Sequence, residues 1–129
     1  MTEQATMHIG EVAARTDLSL RSLRHWEEVG LLRPSGRTDG GFRLYTEDDV
    51  DKILVIRRMK PLGFSIEEMK AVMADIELLD AAEPTPGERE AARERLGAVG
   101  EDAAARRERL VSQLAMADEF IGLLEARRG

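Results

Sequence analysis

The sequence predicts a mainly α-helical protein with one short β-loop near residue 40 and one long helix at its C-terminal end. Three observations support this prediction: helix-capping residues precede short apolar patterns of helical period, glycine and proline cluster in segment 34–41, and a seven-residue apolar repeat runs through the last quarter of the chain. At 129 residues, the chain is long enough for one domain and one accessory element.

The composition excludes several classes of protein. Hydrophobic residues make up 43% and charged residues 34% of the chain, which is typical of a helix-rich soluble protein. Cysteine is absent, which excludes disulfides and zinc fingers. We expect no metal, no cofactor and no enzyme activity, since neither His8 nor His25 belongs to a ligand or nucleophile–base pattern. Without a signal peptide or an apolar run near 18 residues, the expected location is the cytoplasm, in association with the nucleoid.

The charge is unevenly distributed. The net charge of −6 argues against nucleic-acid binding when it is taken alone. Between Arg15 and Tyr45, however, six arginines stand against four acidic residues. An acidic protein binds DNA if its basic groups face the phosphates, so the distribution keeps DNA binding open.

The first third of the chain has the pattern of a helix-turn-helix. A short helix over 9–15 is followed by Thr16-Asp17, and Ser19 is a good N-cap for a second helix that reaches about Val29. We expect Leu20, Leu23 and Trp26 on the inner side of this second helix and its arginines on the outer side. Two such helices joined by a tight turn are typical of DNA-binding proteins, although the pattern is only moderately specific.

A turn-rich loop and two further helices follow. Asp39-Gly40-Gly41 predicts a tight turn, and residues 42–45 alternate as in a short strand, which together predict a wing. In this strand we expect Phe42 and Leu44 to point inward and Arg43 and Tyr45 outward. Thr46 begins a third helix that ends near Lys60, and Ser65-Ile-Glu-Glu68 is a capping box that opens a fourth.

The last part of the chain predicts a coiled coil. A single helix is expected over 88–128, with its firm part at about 101–126 because two glycines weaken its start. Apolar residues recur at alternating spacings of three and four, and Arg107 falls at a seam position. The predicted seam consists of Leu96, Val99, Ala103, Arg107, Leu110, Leu114, Ala117, Ile121 and Leu124. The predicted organisation is a disordered leader (1–7), a DNA-binding domain (8–80), a linker (81–87) and a dimerisation helix (88–129).

Four blocks of sequence, taken in order, resemble the N-terminal domain of the MerR family. They are Ile9-Gly-Glu-Val-Ala13, SLRSLRHWEEVGLLRP (19–34), Gly41-Phe-Arg-Leu-Tyr45 and KPLGFSIEE (60–68). The resemblance covers residues 8–77 and implies a winged helix-turn-helix on a dimer that is joined by an antiparallel coiled coil. His25-Trp26 stands where the family usually has Tyr-Tyr, and Pro61 replaces a helix former. The cysteines of the metal-sensing branches are absent, and we expect no large drug-binding domain.

The resemblance implies DNA contacts from the second helix, the wing and the end of the third helix. For the basic residues, solvated surface charge is the alternative, and for Ser19 it is N-capping alone. Trp26 is expected in the core. The expected DNA-binding residues are Ser19, Arg21, Arg24, His25, Arg37, Arg43, Tyr45 and Lys60.

The function implied by the resemblance is that of a sequence-specific transcriptional regulator. A homodimer would place two recognition helices in successive major grooves of a pseudo-palindromic promoter site and would bend and untwist the DNA. Its partners are double-stranded DNA and a second copy of the chain, while contact with RNA polymerase and a small-molecule effector stay open. Two alternatives also stay open: an architectural DNA-binding protein of the same fold, and a protein-interaction module.

Overall fold

A computed structural model describes residues 5–129, which are mainly helical, as the sequence predicts. The helices are connected by short turns, except for the wing between the second and third helices. Within the described residues, no helix is both long and apolar enough to cross a membrane. The elements are α1 (Ile9–Thr16), α2 (Leu20–Glu28), β1 (Gly36–Arg37), β2 (Arg43–Leu44), α3 (Glu47–Met59), a 3-10 turn (Lys60–Leu62), α4 (Ile66–Asp80) and α5 (Pro86–Arg128).

Side-chain caps determine where the helices begin. The Ser19 hydroxyl accepts a hydrogen bond from the Ser22 backbone N–H at 3.0 Å, which confirms Ser19 as the N-cap of α2. Complete capping boxes start α3, α4 and α5. The last helix begins at Pro86, two residues earlier than predicted, because Thr85 caps it and proline is favoured in a first helical turn. It continues through Gly97 and Gly100 without a break.

The core lies between α1, α2, α3 and α4. Leu23, Trp26 and Ile53 are at most 2% exposed, which confirms Trp26 as a core residue. Leu20 does not join them: it is 39% exposed, so the prediction that it lies on the inner side of α2 is wrong. Leu20 is the first residue of the helix, where no neighbouring turn covers it.

The N-terminal segment contributes to the wing sheet. The Met7 N–H donates to the Tyr45 carbonyl at 2.8 Å, and the Tyr45 N–H donates back at 2.9 Å. Met7 is buried, so the prediction of a disordered leader over 1–7 is wrong at this residue. Residues 1–4 of the predicted leader lie outside the described residues.

The wing strand does not show the predicted alternation. Phe42 is 68% exposed, Arg43 and Leu44 are both partly buried, and Tyr45 is fully buried. Inward placement of Phe42 and outward placement of Tyr45 are therefore both wrong. Backbone pairing with Met7 brings Tyr45 into the core.

The first part of α5 packs against its own domain. Ala92 is fully buried, and Leu96, Val99 and Ala103 are partly buried against the core. Arg95 holds Asp75 of α4 through two of its nitrogens, with an Nη2–Oδ1 distance of 2.8 Å. These contacts join α4 and α5 into an antiparallel hairpin, beyond which α5 projects with every residue after Arg106 exposed.

Candidate nucleic-acid interface

The outer side of α2 carries two exposed arginines. Arg21, Arg24, His25 and Glu28 of α2 share one open groove with Lys60, the first residue of the 3-10 turn after α3. Trp26 and the backbone of α2 support this groove from the core side. In the described part of the chain, neither Arg21, Arg24 nor Lys60 forms an ion pair. Such unpaired guanidinium and ammonium groups are suited to phosphates and to the acceptor atoms of guanine.

A second depression separates α2 from the wing. It has a volume of about 710 Å³ and is lined by His8, Ile9, Arg24, Phe42, Arg43 and the Gly40–Gly41 turn. Arg24 lines both depressions, so it borders the outer groove of α2 and the space next to the wing. Phe42, which sequence reasoning placed in the core, presents its ring to this space instead. An aromatic ring at this place can contact deoxyribose or a thymine methyl group.

The wing arginines are paired with an acidic residue of α2. The Arg43 Nε contacts the Glu27 carboxylate, and Arg37 Nη2 lies 3.4 Å from the same carboxylate. Hydrogen bonding to Glu27 raises the pKa of the Arg43 guanidinium above its ordinary value. Arg37 lies in β1 directly opposite Arg43. Both side chains keep an exposed part, 52% for Arg37 and 38% for Arg43.

Tyr45 does not reach the outer face of the wing. Its hydroxyl is buried and has no hydrogen-bond partner among the described residues. Burial, followed by the negative charge of Glu27, raises the pKa of this hydroxyl. The prediction that Tyr45 contacts DNA is therefore wrong on geometry, because no DNA backbone reaches a fully buried side chain.

Ser19 uses its hydroxyl within the protein. It accepts the Ser22 N–H and donates to the Ser22 hydroxyl at 3.0 Å. This observation accounts for Ser19 as a cap, and its contact with phosphate stays a prediction.

The predicted coiled-coil seam divides into two parts. Its first three residues are partly covered by the same chain, while its later residues are exposed. Arg107 is exposed and lies 3.1 Å from Glu108. The exposed later residues are Leu110, Leu114, Ala117, Ile121 and Leu124.

Sequence reasoning did not single out Arg106. Its guanidinium lies 4.0 Å from the centre of the Phe64 ring and contacts Asp102 and Glu68 at 3.1 and 3.2 Å. It also donates to the Leu62 carbonyl at 3.3 Å. Continuing the spacing of Leu96, Val99 and Ala103 by three residues reaches Arg106, so the pattern contained the signal. Among the described residues, no cluster of histidine and acidic side chains is suited to a metal ion.

Comparison with known proteins agrees with this arrangement. Residues 7–76 match the family described as MerR HTH family regulatory protein. The chain is 45% identical over 65 residues to the nodulation protein NolA of Bradyrhizobium elkanii. That match spans 50% of this chain and only 30% of NolA.

Solved structures extend the likeness to most of the chain. A MerR-family regulator from Bacillus cereus is 30% identical, with a TM-score of 0.55, and the match covers 89% of this chain and 79% of that one. HiNmlR, a MerR-family regulator that lacks the sensor domain and was solved bound to promoter DNA, has the same fold with a TM-score of 0.67 and 22% identity. That match covers 85% of this chain and 76% of HiNmlR. The chain belongs to the MerR family and is a DNA-binding transcriptional regulator.

Proposed function

We propose that the chain acts as a homodimer on a pseudo-palindromic promoter site. Each α2 enters a major groove, the two grooves lie about one helical turn, or 34 Å, apart, and each wing holds the flanking backbone. The observation that carries this proposal is the group of unpaired cations on the outer side of α2, formed by Arg21, Arg24 and Lys60 in a chain with a net charge of −6. In an acidic protein, cations without internal partners at one face favour an anionic partner at that face.

The exposed apolar residues of the end of α5 support the dimer. Leu110, Leu114, Ala117, Ile121 and Leu124 follow the spacing of a coiled-coil seam, and the larger ones are 43–63% exposed. A continuous apolar stripe of this length is costly to leave in water, and a second copy of α5 in antiparallel orientation covers it. The dimer then sets the distance between the two α2 helices.

Regulation acts through the shape of the DNA. Two recognition helices at a fixed distance fit a promoter whose grooves have another spacing only if the duplex bends and untwists. HiNmlR, described as a MerR-family regulator that lacks the sensor domain and is bound to promoter DNA, supports DNA binding that does not need such a domain.

Selection of bound genomic fragments at two salt concentrations tests the proposal. We expect one two-fold symmetric footprint and an affinity that falls steeply with salt. Arg21→Ala should lower specific affinity at least about tenfold, and it should reduce the salt slope by about two per dimer if Arg21 contacts phosphate. Arg93→Ala on the exposed side of α5 is the matched control, since it removes the same charge elsewhere.

Three results would contradict the proposal in different ways. Protection that extends over many repeats indicates an architectural protein that assembles side by side. Failure to bind any fragment at low salt indicates a protein-interaction module. If Arg21→Ala and Arg93→Ala lower the affinity for DNA equally, the DNA does not bind at the outer side of α2. Bending is measured separately, by the fluorescence transfer between dyes at the two ends of the bound fragment.

A further inference from the structure

The wing is too small to hold its own position. Its two strands have two residues each, and Thr38, Gly41 and Phe42 close the turn through backbone hydrogen bonds. An isolated hairpin of this size is not stable in water. Its orientation relative to α2 must therefore come from contacts with the rest of the domain.

The base of the wing is tied to two elements. Ser35 donates to the Asp49 carboxylate of α3 at 2.5 Å, and Tyr45 pairs with Met7. Neither contact involves α2. Among the hydrogen bonds and ion pairs of the described residues, those that join α2 to the wing strands all end on Glu27.

Glu27 is an unusual residue for a recognition helix. A carboxylate near DNA repels phosphates, and on the outer side of α2 the other acidic residue, Glu28, lines the groove of Arg21 and Arg24. Glu27 is only 15% exposed, however, and two arginines of the wing surround it. Its neighbour Glu28 is exposed and has no ion pair within residues 5–129. The two adjacent acids therefore have the same charge and different surroundings.

We propose that Glu27 is a positioning residue that fastens the wing to α2, so that the recognition helix and Arg43 meet the DNA as one rigid unit. The carboxylate contacts the inner nitrogen of Arg43, and the outer end of the guanidinium remains available to a phosphate. Two arginines around one carboxylate leave this cluster with a net positive charge. The inference deepens the proposed DNA-binding function and rests on it.

The decisive experiment compares Glu27→Gln with Glu28→Gln in the full-length protein. Binding is measured to a duplex that carries the selected site and to a scrambled duplex of the same length. Simple electrostatics predicts that both variants bind both duplexes more tightly, since each loses one negative charge. The positioning role predicts that Glu27→Gln loses about tenfold in affinity for the selected site and gains for the scrambled one. Glu28→Gln should gain slightly for both.

A double-mutant cycle identifies Arg43 as the residue through which Glu27 acts. In an Arg43→Ala background, Glu27→Gln should no longer lower specific affinity, because the group that it positions is gone. A merely structural role of Glu27 would lower specific affinity in both backgrounds alike. If Glu27→Gln does not fold, Glu27→Asp replaces it, since this variant keeps the charge and shortens the reach; it should lose specific affinity while binding to the scrambled duplex stays the same.

The outcomes separate the two proposals. If the wild-type protein shows no preference for any fragment, the proposed function fails and the positioning role fails with it. If the wild type is specific and Glu27→Gln or Glu27→Asp behaves like Glu28→Gln, the positioning role alone is overturned.

Discussion

The two segments of α5, proximal (86–106) and distal (107–128), have similar apolar spacing and different surroundings. In the proximal segment, Ala92 is fully buried and Leu96 is partly buried against α4 and the core. In the distal segment, Leu114 is 63% and Ile121 is 52% exposed. Periodicity therefore indicates that a face must be covered, but it does not indicate whether the same chain or another chain covers it.

The lengths of α4 and α5 explain where along α5 the residues become exposed. With a rise of 1.5 Å per residue, the 15 residues of α4 extend about 22 Å, while the 43 residues of α5 extend about 65 Å. A helix of the length of α4 covers about a third of α5. The contact between Arg106 and the 3-10 turn extends the packing of α5 against the domain slightly. Beyond Arg106, the described residues of α5 are exposed.

The largest expected effect comes from the distal segment. Leu114→Asp puts a charge in the middle of the exposed stripe, so we expect the dimer to dissociate and affinity for a two-fold site to fall about 100-fold or more. Light scattering and DNA binding measure the two effects. Ser112→Asp, on another face of the same segment, should leave both unchanged. If the Leu114→Asp variant is still a dimer, the distal segment is not part of the dimer interface.

The next effect is a difference between the two segments in how strongly unfolding depends on protein concentration. Leu96→Ala should lower the free energy of unfolding by about 1–2 kcal/mol, since a partly buried leucine loses contacts within its own chain. This loss should be the same at all protein concentrations. Leu114→Ala should instead lower the unfolding midpoint by an amount that depends on concentration, as dimer dissociation requires. Urea titrations at two protein concentrations measure both effects. If the two variants depend on concentration equally, the proximal and distal segments do not differ in whether the same chain or a second copy covers them.

A smaller effect is expected at the boundary between the segments. Arg106→Ala removes the stacking on Phe64 and the contacts with Asp102 and Glu68, so it should lower the thermal midpoint. Its neighbour Arg107 is 70% exposed and pairs only with Glu108, and Arg107→Ala should leave the midpoint unchanged. A larger decrease of the thermal midpoint for Arg107→Ala than for Arg106→Ala would contradict the assignment of Arg106 to the end of the proximal segment.

The smallest effect concerns pH. The hydrogen bond from the Ser65 backbone, then the Ser65 hydroxyl and the charge of Arg106, lower the pKa of Glu68. A lowered folded-state pKa adds stability above the ordinary pKa of glutamate, and this stability is lost as the pH falls through the folded-state pKa. The wild type should therefore lose stability below about pH 4 more steeply than Glu68→Gln. Urea midpoints measured between about pH 6 and 3 test this, and parallel curves would contradict it.

The wing illustrates what sequence reasoning missed in the candidate interface. A short strand was correctly predicted there, but its two-residue alternation was wrong, since burial increases from the exposed Phe42 to the fully buried Tyr45. The burial of Tyr45 depends on Met7, 38 residues earlier in the chain, and Arg43 is paired with Glu27 in α2. In contrast, exposure of Arg21 and Arg24 follows from their spacing from Leu23 within one helix, and the structure agrees.

The sequence by itself determined the helix-turn-helix, the starts of α2, α3 and α4, and the family. Caps such as Ser19 and Ser65 act on residues three positions away, so their chemistry is complete within one turn of chain. Only the tertiary structure decided which faces are covered: the burial of Tyr45, the pairing of Glu27 with Arg43, and the division of α5 at Arg106. These contacts join residues 16 to 44 positions apart, and burial at such separations depends on where whole elements end.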